Sequence, residues 1–205
     1  MIRTILFDVG GVLITWKDEA EAAVRLDRLA AQLGYENGQV MWLAFYTGPE
    51  WQAAKTGGCT LAQMWHDLLT PHGLLTVKQQ QAFVAEMFAE EWVSPAMMAL
   101  LAEINGRFQL AILSNAADDL ESRLELHGVA HFFQLVINSH DVQVAKPDIA
   151  AYQITLDRLQ AAPETVYFVD NQERNTLIAD QLGIHSHIFT DVATLRQDMA
   201  LHNLL

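Results

Sequence analysis

Cysteine is almost missing from this chain: Cys59 is the only one in 205 residues. No internal disulfide can form, which excludes a stapled secreted scaffold and points to a reducing, cytoplasmic setting. A lone thiol of this kind is expected to be a small, half-buried packing residue rather than a nucleophile. Basic residues are also scarce. Lys plus Arg number 12 against 25 Asp plus Glu, for a formal net charge of −13. Such a surface repels phosphate backbones and anionic lipid, so neither nucleic acid nor a membrane surface is an expected partner. A small anionic metabolite would need a local cation, either a lysine or a metal. No apolar run is long enough to span a bilayer. Asp8 interrupts the first apolar stretch, so a signal peptide is not expected. The eight histidines are scattered along the chain and none adjoins Cys59, which argues against zinc. Repeats and low-complexity segments are absent.

What is present is a large apolar fraction, 51%. That suffices for one cored domain, or one with a sizeable insert. Residues 2–7 form a β-rich run without polar alternation, as expected for a strand buried on both faces. It ends at Asp8, followed by Gly10 and Gly11. Residues 18–33 then carry apolar side chains at helical spacing, with Gly34 as the stop. A second helix covers 40–46 and breaks at Thr47-Gly48-Pro49. A short helical turn covers 51–55. Thr60 and Gln63 offer a capping box for a helix through Trp65 and Leu69. Residues 77–91 read as another helix, so 16–91 contains no expected strand. From there the pattern changes to alternation. Helices are expected at 95–105, 117–127, 149–159, 175–182 and 193–201. Strands are expected at 108–113, 135–137, 165–169 and 185–189. Alternating strands and helices predict an α/β fold with a Rossmann-like parallel sheet flanked by helices. The corresponding division is a core of residues 1–15 and 92–205 and a helical insert of 16–91.

Three strands end in polar residues: Asp8, Ser114-Asn115 and Asp170-Asn171. Lys146 follows a fourth strand on a loop. A parallel sheet collects such ends along one edge, where α/β proteins build their sites. Two carboxylates placed together repel unless a cation lies between them. A set of oxygen ligands with few carboxylates suits Mg²⁺ and a substrate phosphate.

The ordered motifs Phe-Asp8-Val-Gly-Gly-Val, Leu-Ser114-Asn115, Lys146-Pro147 and Phe-Val-Asp170-Asn-Gln-Glu-Arg-Asn175 resemble those of haloacid dehalogenase-like hydrolases, over nearly the whole chain. The insert resembles that family's small helical cap. Residues 45–57 and 146–152 are similar to the subgroup containing α-D-glucose-1-phosphate phosphatase. The resemblance implies a Mg²⁺-dependent phosphatase of a small phosphorylated metabolite, such as a sugar phosphate, working through an aspartyl-phosphate. It implies Asp8 as nucleophile and Ser114, Asn115 and Lys146 as phosphate-binding groups, Lys146 also pairing with Asp8. Asp8, the Gly10 carbonyl, Asp170 and Asn171 would hold the metal, and Asn175 would orient from behind.

Two positions depart from the family pattern. Where most phosphatases of the family have a second Asp that protonates the leaving group, this chain has Gly10. Where a second motif-four acid is usual, it has Asn171. Val12 replaces a frequent Thr. Three readings follow: a phosphatase whose acid comes from elsewhere (His66, or water), a catalytically weak binding or regulatory protein, and a metal-independent dehalogenase-like hydrolase. Among other residues, Trp42, Phe45, Tyr46, Trp51 and Trp65 are expected mostly to pack the insert, with one or two facing the site. His140 and Asp141 read as solvated loop. Tyr152 reads equally as core or site, and Arg174 as a surface ion-pair partner.

Overall fold

The computed structural model describes all 205 residues. Strand β1 (Thr4–Phe7) is the centre of a five-stranded parallel sheet. On one side it pairs with β4 (Gln109–Ser114), and β4 pairs with β5 (Leu135–Asn138). On the other side it pairs with β6 (Val166–Asp170), and β6 pairs with β7 (His185–Ile188). The spatial order is therefore β5-β4-β1-β6-β7. Because all five strands run the same way, every carboxyl end lies on one edge.

Every residue of β1 is buried, which explains its lack of alternation. Successive side chains point to opposite faces. Ile5, Phe7, Ile112, Tyr167 and Val169 pack with Met97, Leu101 and Ile104 of α6 (Pro95–Ile104) and with Leu195 and Met199 of α11 (Val192–Leu201). Leu6, Ala111, Leu113 and Phe168 pack on the other face with Ala151 and Tyr152 of α9 (Ile149–Leu159) and Ala179 of α10 (Glu173–Gln181). Each large aliphatic or aromatic side chain buried this way stabilises the fold by about 1.5–3 kcal/mol.

Five helices stand between β1 and β4: α1 (Glu19–Leu33), α2 (Gly38–Thr47), α3 (Pro49–Lys55), α4 (Leu61–Leu69) and α5 (Val77–Met87). Their ends follow local chemistry. Asp18 caps α1 by accepting from Ala20 and Glu21, and Gly34 closes it in the left-handed region at φ 82°. Thr60 caps α4 by accepting from the Gln63 N–H, but the Gln63 side chain donates to Asp67 instead of reaching back. The reciprocal box occurs at Thr76 and Gln79, opening α5.

These helices have their own core of Leu26, Leu29, Met41, Phe45, Met64, Trp65, Leu69, Phe83 and Met87. The segment 16–91 is not free of strand, however. Thr15–Trp16 (β2) pairs antiparallel with Glu91–Trp92 (β3), so one short ribbon joins the two crossings between sheet and helices. Two-residue strands show no periodicity and exist only through each other. Four further ties hold the insert to the rest. Arg123 of α7 (Leu120–Leu126) makes a two-oxygen ion pair with Glu91, the shorter contact 2.9 Å. Asp118 accepts from the Leu61 N–H at 2.7 Å. The His140 Nδ1, on the short helix α8 (Ser139–Val142), lies 2.7 Å from the Ala54 carbonyl. Gly57 lies against the His140 carbonyl. His140 is thus a bridging residue, not solvated loop. No helix is long and apolar enough to cross a membrane.

Candidate active site

β1, β4 and β6 deliver Asp8, Ser114 and Asp170 to the same edge, because the register sets Phe7 beside Ile112 and Val169. The Asp8 N–H continues the ladder by donating to the Val169 carbonyl at 2.9 Å. Lys146 reaches the edge from the loop after α8, just before a cis bond to Pro147. The residue is 2% exposed, and its ammonium lies between the carboxylates, 3.0 Å from Asp8 Oδ1 and 2.6 Å from Asp170 Oδ2. It also sits 5.3 Å from the Phe168 ring centroid.

The side chains around this triad fix it in place. Asn115 Nδ2 donates to the Lys146 carbonyl, and its Oδ1 accepts from the Lys146 N–H, both at 2.8 Å. The amide is thereby used at both ends on the lysine's own backbone, so its side chain positions Lys146. Ser114 is buried, and its hydroxyl has no hydrogen-bond partner within the protein. Asp170 accepts from Lys146, from the Gln172 N–H at 2.7 Å and from Asn175 Nδ2, which is 3.0 Å from each carboxylate oxygen. Tyr152 is fully buried, and its hydroxyl donates to the Asn175 carbonyl at 2.9 Å. It therefore supports Asn175 from the core and does not line the site.

The electrostatics follow from burial. Asp8 has its carboxyl pushed above the ordinary carboxylate range, first by burial; Lys146 opposes this and Asp170 adds to it. Burial also raises the Tyr152 hydroxyl, and the charges of Asp170 and Asp8 raise it further. The Cys59 thiol is raised by burial, the opposite of what activates a nucleophile.

Gly10 is exposed, and an added Cβ would meet nothing within 4 Å. Gly11 takes φ +76°, and an added Cβ would fall 2.2 Å from Asn171 Nδ2. Asn171 thus packs directly on the glycine turn that follows Asp8. Oxygen groups are offered by Asp8, by the Gly10 carbonyl two residues on, by the Asn171 amide packed on Gly11 and by Asp170, which shares Lys146 with Asp8. This oxygen-only set with two carboxylates is of the kind Mg²⁺ accepts. Asp170 is already served by three donor groups.

Most of the remaining candidates belong to the insert. His66 lies in a cleft of about 650 Å³ with Trp65, Gln80, Val84 and Asp118, on the side of the insert facing α7. Asp8 does not line that cleft. Phe45 and Trp65 are buried in the insert. Trp16, Trp42, Tyr46 and Trp51 form a half-buried aromatic row, with Trp42 and Tyr46 stacked at 4.4 Å. Arg174 makes no ion pair. His140 and its bond to the insert carried no sequence signal.

A parallel sheet that presents an aspartate after its central strand, with a lysine bridged to a second carboxylate, defines a hydrolase class. The haloacid dehalogenase-like hydrolase model matches residues 2–183, and the chain belongs to that family. It is 29% identical over 201 residues to a phosphoserine phosphatase of Thermus thermophilus, covering 90% of this chain and 80% of that protein. It is 25% identical over 193 residues to a phosphoglycolate phosphatase of Vibrio cholerae, covering 90% and 83%. Among solved structures it is similar to a HAD family enzyme of Bacteroides thetaiotaomicron, in complex with magnesium and inorganic phosphate. That match has a TM-score of 0.76 at 20% identity and covers 95% of this chain and 99% of the other.

Proposed function

We propose that this hydrolase is a phosphatase of a small phosphorylated metabolite, with the helical insert acting as a cap over the sheet edge. The observation that carries the reading is the Lys146 ammonium held at 3.0 Å from Asp8 and 2.6 Å from Asp170, beside a Ser114 hydroxyl with no protein partner. A buried cation and a free hydroxyl next to a carboxylate form a receptor for a phosphoryl group. An Asp8 oxygen attacks phosphorus and the ester P–O bond breaks, leaving an aspartyl-phosphate and an alkoxide. Water then hydrolyses the acyl phosphate and restores Asp8. Ser114 and Lys146 hold the phosphoryl oxygens through both steps, while Asn115 and Asn175 keep Lys146 and Asp170 aligned.

Mg²⁺ would be held by Asp8, the Gly10 carbonyl, Asp170 and Asn171, and when bound it neutralises charge on the phosphoryl oxygens. Its affinity is expected to be low. Asn171 contributes no charge, and Asp170 is engaged by Lys146 and Asn175. No side chain at position 10 protonates the alkoxide, so water does, and esters with good leaving groups are favoured. A panel of phosphate esters assayed with Mg²⁺ and with a chelator tests this. Turnover should require the metal and vanish in Asp8→Asn, which is nearly isosteric and should stay folded by circular dichroism. Activity that survives chelation on a 2-haloacid, with none on any ester, would replace this reading with a dehalogenase one. Full activity of Asp8→Asn would remove the covalent step.

A further inference from the structure

Two cations stand at the sheet edge without partners. Lys55 ends α3, and α3 is docked over that edge by the 2.7 Å contact from the Ala54 carbonyl to His140, which follows β5. Arg174 lies in the first turn of α10, directly after β6, next to the buried Asn175 that donates to Asp170. Asn175 faces inward, whereas Arg174 is exposed. One therefore belongs to an insert element docked at that edge and the other to a core helix that begins there.

Neither has a carboxylate within ion-pair distance. Most Lys and Arg side chains of this protein make no ion pair, so what distinguishes these two is that they belong to elements meeting at the same sheet edge. Their proximity shows in the Lys55 ammonium, which is held below the ordinary lysine range by its partial burial and by the Arg174 charge. Arg174 also lowers the Tyr152 hydroxyl, which lies close to Asp170 and Asp8. Facing like charges are unfavourable unless an anion joins them.

We propose that Lys55 and Arg174 form a second anion-binding subsite, which receives a carboxylate or second phosphate on the far end of the substrate. The inference rests on the phosphatase reading for the position of the first phosphoryl group. That group occupies the deep end, at Asp8, Ser114 and Lys146, so two cations at the rim meet the leaving group. The preferred substrates are then phosphorylated acids, not sugar monophosphates whose leaving group is neutral. Arg174 offers a planar fork suited to a carboxylate, and Lys55 a point charge from the insert.

Binding to the Asp8→Asn protein tests this without needing turnover. The probes are 2-phosphoglycolate and ethyl phosphate, which share the phosphoryl end and differ in the carboxylate, with glucose 1-phosphate as a third. By calorimetry, 2-phosphoglycolate should bind at least ~10-fold more tightly than either of the others. Adding Arg174→Gln or Lys55→Gln should reduce that ratio several-fold, while Arg158→Gln on α9 should leave it in place. Equal affinity for the three probes, tighter binding of glucose 1-phosphate, or a ratio that survives both substitutions would overturn the subsite. If both cations instead serve the phosphoryl group itself, all probes weaken together and the ratio holds, which also overturns it. Absence of ester turnover in the unmodified enzyme would count against the phosphatase reading alone.

Discussion

Lys146 carries the electrostatics of the site, because it is the one cation between two buried carboxylates. Removing one partner of a buried charged set leaves the others uncompensated and costs ~3–5 kcal/mol. Lys146→Met should therefore lower unfolding stability by about that amount in urea titrations, and Lys146→Met with Asp170→Asn should recover part of the loss. Unchanged stability in the single variant would mean that water already reaches the pair. Gly10 makes the complementary case. Its backbone lies outside the left-handed region, and a side chain there meets nothing within 4 Å. Gly10→Asp should fold normally and place an acid two residues after Asp8. A general acid is worth ~10²–10⁴-fold, so kcat on esters with poor leaving groups should rise, and least for esters whose alcohol leaves unaided. No gain on any ester would show that the carboxyl does not reach the leaving oxygen.

The decisive element is the loop between α3 and α4. Gly57 takes φ +76°, and a Cβ would lie 2.6 Å from the His140 carbonyl; Gly73 takes φ +87° with open space around it. Both pay the left-handed cost of ~1–2 kcal/mol on substitution. Only Gly57→Ala must also push the insert off α8. Gly57→Ala should therefore lose more stability than Gly73→Ala and should raise KM for an ester. Equal effects of the two on melting and KM would show that the His140 contact does not set the position of Lys55. This element was poorly legible in advance. Residues 51–55 read as a turn of helix, but nothing local marks His140 as its dock, 86 residues away. The ribbon of β2 and β3 was hidden for the same reason. Its pairing is tertiary, and two residues cannot declare a period.

At the scale of the molecule, the balance of buried titratable groups sets the response to pH. Burial holds the His187 and His127 imidazoles below the ordinary value of 6.5, with Asp198 partly opposing this at His187. In that window the unfolded chain binds a proton that the native one does not, so stability rises with pH through it and is lost as pH falls. Glu91 and Asp119, raised by burial, act in the opposite sense, and do so nearer the carboxylate range. Melting temperature should fall between about pH 7.5 and about pH 5.5, the range in which histidine titrates, and His187→Gln should reduce that slope. An identical slope in the variant would assign the effect elsewhere.

The sequence by itself determined the sheet-and-helix alternation, the helical insert and the residues at the strand ends, because these depend on local period and turn chemistry. Asp8, Ser114, Lys146 and Asp170 could be named together since parallel strands must end on one edge. Only the tertiary structure decided how those residues divide the work. Asn115 is bound to the Lys146 backbone, Tyr152 braces Asn175 from the core, and Arg174 lacks the carboxylate it was expected to meet. Hydrogen-bond and charge partners are chosen by three-dimensional distance, and positions 115 and 146, or 55 and 174, carry no trace of each other along the chain.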